Sequence, residues 1–359
     1  MRRCCERNKR YRGKEQLKGD ILLFLQEFII FTIVLALIFD FINGFHDSAN
    51  AISTVVATKV LSPIRAVGMA AVGNLIGPLF FSTAIAATIG KGIIKIELVQ
   101  DKEILVFIIF SALVGAVVWD LITWYYGLPT SSSHALVGGL VGAGLVAIGS
   151  NSINPVGVEK VVAFMVISPI IGLVAAFILT TLVIRAFYRV TPSRINIYFK
   201  RLQLFSAFFY SVTHGTNDAQ KTMGIITVLL VAYGSLTTFN VPIWVILAAH
   251  ISISLGTFLG GWRIVKTMAQ KITKLRPYQG FCAETSGGIV LASMAAFGIP
   301  VSTTHVISSS IMGVGATDKL SAVRWGIARK IIGAWILTIP ATAIISGMTF
   351  SVMKAIFRF

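Results

Sequence analysis

Acidic residues are scarce in this chain: 14 Asp and Glu stand against 31 Lys and Arg, and charged residues of both signs make up only 13% of the sequence. Soluble domains carry about a quarter. That shortage, with 55% hydrophobic residues and a mean hydropathy of +0.83, excludes an ordinary water-soluble fold. Cysteine is scarce too. Cys4 and Cys5 sit beside basic residues and Cys282 stands alone, which provides neither a disulfide framework nor zinc-ligand spacing. The apolar runs lack the strict alternation of membrane β-barrel strands. A Gly-x-Ser-x-Gly nucleophile elbow is missing, which argues against a hydrolase, and so against an enzyme. No small-residue cleavage site follows the first basic segment, so residues 1–20 are expected to be a basic flank before a retained helix, not a cleaved signal.

What remains is a set of apolar runs of spanning length, for which about 20 residues suffice. They cover Ile21 to Ile42, Ala66 to Ile89, Ile104 to Tyr126, Val161 to Ile184, Ile225 to His250 and Ile331 to Met353, with half-spans at Leu136 to Ile148 and Val306 to Val314. The fold class predicted is all-α, a polytopic membrane bundle. The net charge of +17 collects between the spans, in Arg2 to Lys18, Arg185 to Arg201, Arg263 to Arg276 and Lys319 to Lys330. That is the distribution of membrane topology and lipid contact, not of nucleic-acid binding. Orientation stays open, since the N-terminal and central basic segments cannot both be cytoplasmic if each half crosses an odd number of times.

The chain repeats itself. Gly127-Leu-Pro-Thr-Ser-Ser-Ser-His134 returns as Gly298-Ile-Pro-Val-Ser-Thr-Thr-His305 at an offset of 171, and the same offset carries Gly44 onto Gly215, Asp47 onto Asp218, Gly142 onto Gly313 and Pro169 onto Pro340. Two transmembrane repeats, residues 21–190 and 191–359, follow the basic flank. Within each, an intramembrane carboxylate interrupts apolar sequence: Asp47 with Asn50, and Asp218 with Asn217. Such a group needs a partner in a bilayer. Gly44 and Gly215 are expected to let their helices unwind, freeing oxygen ligands suited to Na⁺ or a proton. The Ser and Thr clusters Ser131, Ser132, Ser133 and Ser302, Thr303, Thr304 follow a proline-marked break, where a half-helix would begin. Their hydroxyls and free N–H groups would form an anion site without arginine. Alternatively these hydroxyls cap and pack helices. His134 and His305 either orient the hydroxyls or pack as polar side chains.

On these residues the chain resembles the inorganic phosphate transporter (PiT) family. The family element Gly-x-Asn-Asp-x-x-Asn-Ala is matched by Gly44-Phe-His-Asp-Ser-Ala-Asn-Ala51 and more loosely by Gly215-Thr-Asn-Asp-Ala-Gln-Lys-Thr222, and the Pro-x-Ser-Ser/Thr-Ser/Thr-His element occurs in both halves. The resemblance implies inverted repeats with broken helices, two re-entrant helical hairpins and cation-coupled import of orthophosphate in a bacterial plasma membrane. It implies phosphate on Ser131 to Ser133 and Ser302 to Thr304, cation coupling at Asp47, Asn50 and Asp218, and a role for Glu284. No enzyme cofactor is implied. Sulfate permeases also occur in the family, and a homodimer stays open.

Two departures stand out: His46 replaces the first Asn of the element, and Lys221 replaces its second Asn in the second half. A fixed ammonium beside Asp218 would do the work of one bound cation. Two Asp and a divalent phosphate need about four positive charges, so Lys221 reduces the cations transported. Proton coupling is therefore expected ahead of Na⁺, with phosphate free or as a neutral metal complex. Were Na⁺ the partner, Asp47, Asn50 and Asp218 would be its ligands. Intramembrane carboxylates also favour phosphate over sulfate, because phosphate retains a proton to donate. Alternating access is the mechanism expected, and a channel built from the same parts is the alternative.

Overall fold

The computed structural model describes residues 2–80, 83–95, 98–99 and 101–357, with side chains from residue 23 onward. The side chains of the basic flank, Cys4 and Cys5 included, lie outside the described residues. Twelve α-helices are found among those described: α1 (Arg2–Ala57), α2 (Pro63–Ile76), α3 (Ala84–Gly92), α4 (Lys102–Tyr126), α5 (Ser132–Ile148), α6 (Pro155–Ala186), α7 (Pro192–Tyr233), α8 (Ile243–Leu259), α9 (Trp262–Gln270), α10 (Pro277–Ala296), α11 (Thr303–Ala316) and α12 (Trp325–Phe357). By length and composition, four helical stretches can cross a membrane, Leu23–Ala57, Lys102–Tyr126, Pro155–Ala186 and Trp325–Phe357. There are six if the bent pairs α2–α3 and α8–α9 each count as one.

The bundle buries polar helix faces among its apolar core clusters and turns apolar faces outward. Ile170, Val174 and Ile178 of α6 and Ile336, Ile344 and Met348 of α12 are exposed, while Asp40, Asn43, Asp47, Asn50 and Thr54 of α1 are buried. Those five recur at steps of three and four, so they share one helix face. Helix α7 carries a matching face through Gln203, Ser206, Tyr210, His214, Asp218 and Lys221, all buried.

Helices α1 to α6 recur in the same order as α7 to α12. Each half contains a long polar-striped helix, a bent pair, a helix followed by a short one, and a final helix with an internal proline, Pro169 in α6 and Pro340 in α12. The halves exchange contacts: α5 packs on α12 and α11 on α6, while α1 packs on α8 and α7 on α2. These crossings are close because glycine makes them so. A Cβ on Gly142 of α5 would strike the Ala343 backbone, and one on Gly313 of α11 the Leu173 backbone.

Three expectations are corrected. The run Ile225 to His250 is not one span: α7 stops at Tyr233, where Gly234 takes a left-handed φ of 92°, and α8 begins after Pro242. The run Ala66 to Ile89 bends by 85° between α2 and α3, after the turn Gly77–Leu79. Most consequentially, α1 and α7 do not unwind at Gly44 and Gly215 but remain helical throughout. The missing side chains serve helix approach instead. Gly44 lies on the Ile253 backbone of α8, and Gly215 on Asn74 of α2, whose Cα would lie 2.5 Å from an added Cβ. Thr257 Oγ1 donates to the Gly44 carbonyl at 3.1 Å.

Overpacking a close crossing costs about 1–3 kcal/mol. Gly142→Ala and Gly313→Ala should each lower the thermal midpoint of the purified protein in detergent by several degrees. Gly333→Ala, on α12 with nothing within 4 Å of the added carbon, should leave it unchanged or raise it; equal midpoints for all three would contradict the packing described.

Candidate functional site

Helices α4 and α10 both stop at a glycine turn, Gly127 at φ 64° and Gly298 at φ 63°, and a proline follows each. The next helices start inside the protein. Ser131 caps α5 by accepting from the His134 N–H at 3.3 Å, and Ser302 caps α11 by accepting from the His305 N–H at 3.1 Å. Residues 132–140 and 303–315 are buried. Two helix N-termini, each an electropositive end with free N–H groups, therefore lie in the interior. Their first turns meet, with the His134 and His305 rings 4.8 Å apart between centroids. His305 stacks on Trp335 at 3.9 Å, and Trp335 donates to the Pro129 carbonyl at 2.9 Å, so α12 braces the break before α5.

The polar stripes of α1 and α7 face these N-termini. Lys221 is 1% exposed, donates to Ser132 Oγ at 2.8 Å and lies 3.3 Å from Asp218 Oδ1. Asn50, its counterpart in the first half, donates to Thr304 Oγ1 at 2.9 Å and Thr303 Oγ1 at 3.4 Å. The contacts match across the 171-residue offset: position 50 reaches 303 and 304 as position 221 reaches 132. The chemistry has diverged. On the α11 side, Thr303 donates to Asp218 Oδ2 at 3.3 Å and Thr304 to Asp47 Oδ1 at 3.4 Å. On the α5 side, Ser132 receives an ammonium proton and passes its own to Asn43 Oδ1 at 2.5 Å. One half-helix faces carboxylates and the other a cation.

His46 Nδ1 lies 2.7 Å from Asp47 Oδ1, and its Nε2 is 3.1 Å from Thr123 Oγ1. Asp47, His214 and Asp218 offer ligand atoms that all lie within 4.8 Å of one another, and the buried Asn50 Oδ1 has no partner among the described residues. Carboxylate, amide and imidazole atoms of this kind fit a small cation. His214 was not anticipated: the 171-residue offset aligns it with Asn43, which carries no charge. Its signal was its place four residues before Asp218 on one helix face.

Two expected members lie apart. Asn217 turns toward α10, donating to the Thr213 carbonyl at 2.8 Å and the Leu291 carbonyl at 3.3 Å. Glu284 sits in its own polar nest, taking hydrogen bonds from Thr54 at 2.5 Å, Ser206 at 2.5 Å and Gln203 at 3.1 Å. Sequence reasoning also passed over Asp40 and Asp120, both fully buried and with neither carboxylate oxygen partnered among the described residues.

The phosphate transporter family matches residues 43–346. A Rhizobium meliloti (strain 1021) protein named "Probable low-affinity inorganic phosphate transporter" is 52% identical over 319 residues, covering 89% of this chain and 94% of its own. A Bacillus subtilis (strain 168) protein of the same name is 43% identical over 339 residues, covering 94% and 100%. A solved structure titled "The sodium-dependent phosphate transporter" superposes with a TM-score of 0.84 at 25% identity, covering 92% of this chain and 100% of that one. With a family match across most of its length and relatives of this identity, the chain belongs to the phosphate transporter family.

Proposed function

We propose that this protein imports inorganic phosphate across the bacterial inner membrane by alternating access, in symport with a cation, the proton ahead of Na⁺. The observation that carries the reading is the Lys221 ammonium, buried between Asp218 and Ser132. It places an amino group beside a helix N-terminus and a serine cluster, which together suit a phosphate oxyanion. The names of the relatives and of the solved neighbour, all phosphate transporters, point the same way.

The anion would rest on Ser131 to Ser133 and the free N–H groups of α5, with Lys221 against it. Thr303 and Thr304 would join from α11 only by leaving Asp218 and Asp47, to which their hydroxyls are now bonded. A cation or proton arriving at those carboxylates releases the hydroxyls to the anion. Loading of one ion thereby favours loading of the other, the free-energy coupling a symporter requires. His46 anchors Asp47, and the stacked His305 and its neighbour His134 hold the capped turns together. The two repeats, inverted in the membrane, would then rock about this centre, while the apolar faces of α6 and α12 meet lipid. Phosphate carried as a neutral metal complex would need less compensating charge, and Asp47, His214 and Asp218 converge where its metal would lie.

Sodium coupling is the second reading. It is favoured by that same cluster of ligand atoms and by the sodium dependence in the neighbour's title. Labelled phosphate uptake into proteoliposomes, under an imposed pH gradient and separately under a Na⁺ gradient, distinguishes the two. Concentrative uptake on the pH gradient alone is expected, uphill accumulation excludes a channel, and equal competition by sulfate would overturn the choice of phosphate.

Lys221→Asn, which gives the second half the first half's residue, should cut pH-driven uptake about tenfold or more and introduce a Na⁺ requirement. Unchanged ion dependence would remove lysine from the coupling. Ser132→Ala should weaken phosphate affinity about tenfold, or ~1.4 kcal/mol, in equilibrium binding. Ser131→Ala removes a helix cap and should cost stability, about 1 kcal/mol, more than affinity.

A further inference from the structure

Asp40 has no part in the mechanism above. It lies on the polar face of α1, two turns before Asp47, fully buried. Neither of its carboxylate oxygens has a partner among the described residues. Two groups face it, the Asn43 amide and the Thr222 hydroxyl, and Asn43 Nδ2 and Thr222 Oγ1 are themselves unpartnered there. A donor amide, a hydroxyl and a carboxyl thus surround one buried point, the amide and the hydroxyl both facing the carboxyl. In the interior of a membrane bundle a carboxyl so placed is stable only with a proton on it or a positive charge beside it.

The charges that act on Asp40 come from α7, Lys221 first and Asp218 after it. Titratable groups on the other helices packed against α1 act elsewhere, and Asp120, like Asp40, has no partnered oxygen among the described residues. Asp120 of α4 faces His46, His250 of α8 is bonded to the Asn74 carbonyl, and Glu284 of α10 is bonded to Thr54. Arg263 of α9 lies over Tyr125, His305 of α11 stacks on Trp335, and Arg65 of α2 is exposed. The link from Asp40 to the anion site is direct: Asn43 Oδ1 accepts from Ser132, and Ser132 accepts from Lys221.

We propose that Asp40 is a proton-binding site of the transport cycle, coupled to the anion through the Asn43 amide and the Ser132 hydroxyl. The inference rests on the reading of Ser132 as a phosphate ligand. With no anion bound, Ser132 holds Asn43 Oδ1, leaving the amide N–H₂ to face Asp40 and favour its carboxylate. An anion on Ser132 accepts the hydroxyl's hydrogen bond in place of Asn43 Oδ1, which is released. The amide then rotates, and its oxygen accepts from a protonated Asp40, while Thr222 donates or accepts as each state requires. The proton comes from water on the side to which the site is open and returns to water on the other. Anion binding and Asp40 protonation therefore favour each other, the sign that symport needs.

The test uses proteoliposomes of the full chain carrying wild type or Asp40→Asn, with two readouts on the same vesicles: labelled phosphate exchange without gradients, and accumulation under a pH gradient. Normalising accumulation to exchange removes differences in the amount of folded protein. The ratio should fall roughly tenfold or more in D40N, together with the internal acidification that accompanies uptake. A wild-type ratio with wild-type proton movement overturns the proposal. Should D40N exchange no phosphate, the infrared difference spectrum of wild type on phosphate addition decides. A protonated-carboxyl band that shifts in Asp40→Glu supports the assignment, and a spectrum without one overturns it. Wild-type vesicles that exchange no phosphate overturn both this site and the function proposed above; accumulation only on a Na⁺ gradient overturns this site and the proton reading but leaves phosphate import standing; a D40N ratio equal to wild type overturns Asp40 alone.

Discussion

Asp47, Asp218 and Lys221 are held inside an apolar bundle, and the rest of the architecture follows from keeping those charges paired. An isolated charge at the centre of a bilayer is costly, and breaking a buried pair by removing one member costs about 3–5 kcal/mol. The chain meets this constraint by lining two continuous helix faces with partners. Lys221 spans Asp218 and Ser132, His46 sits on Asp47, and Thr303 and Thr304 hydroxyls reach both carboxylates. None of these partners is bulk water. That is why a small change in what occupies the centre must be answered by protein groups, the condition for coupling one ion to another.

Duplication supplies the parts and divergence gives them different tasks. In both halves a helix-face residue reaches the first turn of a short, interior helix from the other half: Asn50 to α11 and Lys221 to α5. An amide at one position and an ammonium at the other leave one N-terminus facing acids and the other a cation. A symmetrical pair would present the same electrostatics twice. In the function proposed above, this asymmetry would set an anion-accepting side against a cation-accepting one, so that the two ions would screen each other once both were bound.

Much of this was legible in the sequence because a repeat is a comparison the chain makes with itself. The offset picked out Asp47 and Asp218, the two hydroxyl clusters and the helix-internal Pro169 and Pro340, and the proline-marked breaks predicted half-helices that begin at Ser132 and Thr303. What the offset could not reveal were polar residues without a polar counterpart of the same kind. His214 aligns with Asn43, Asp40 with Ser211 and Asp120 with Leu291, so Asp40 and Asp120 looked like isolated residues in apolar runs and His214 like one more polar residue beside the Asp218 element. Tertiary packing is what buries Asp40 and brings His214 within reach of both central carboxylates. The unwinding expected at Gly44 and Gly215 failed for a related reason. Glycine permits both a broken helix and a close helix crossing, and which one occurs depends on whether Ile253 and Asn74 arrive from another helix.

Intact α1 and α7 constrain what can move. Their carboxylates, imidazoles and lysine ride on continuous helices of 56 and 42 residues, whose hydrogen bonds in the interior have no water to replace them. Changes of access are therefore cheaper as sliding of packed elements than as local unwinding. The crossings of α5 on α12 and α11 on α6 suit such sliding: they are lined by Gly138, Gly142 and Gly313, and Ser346 and Ser310 donate across them to the Gly139 and Gly172 carbonyls at 2.7 and 3.2 Å. Backbone-to-backbone contact with few interlocking side chains resists rigid-body shear less than an interdigitated core does. In the alternating access proposed above, the long helices would act as the frame that keeps the charged groups in register, and the short helices with their capped N-termini would carry the anion site from one side to the other.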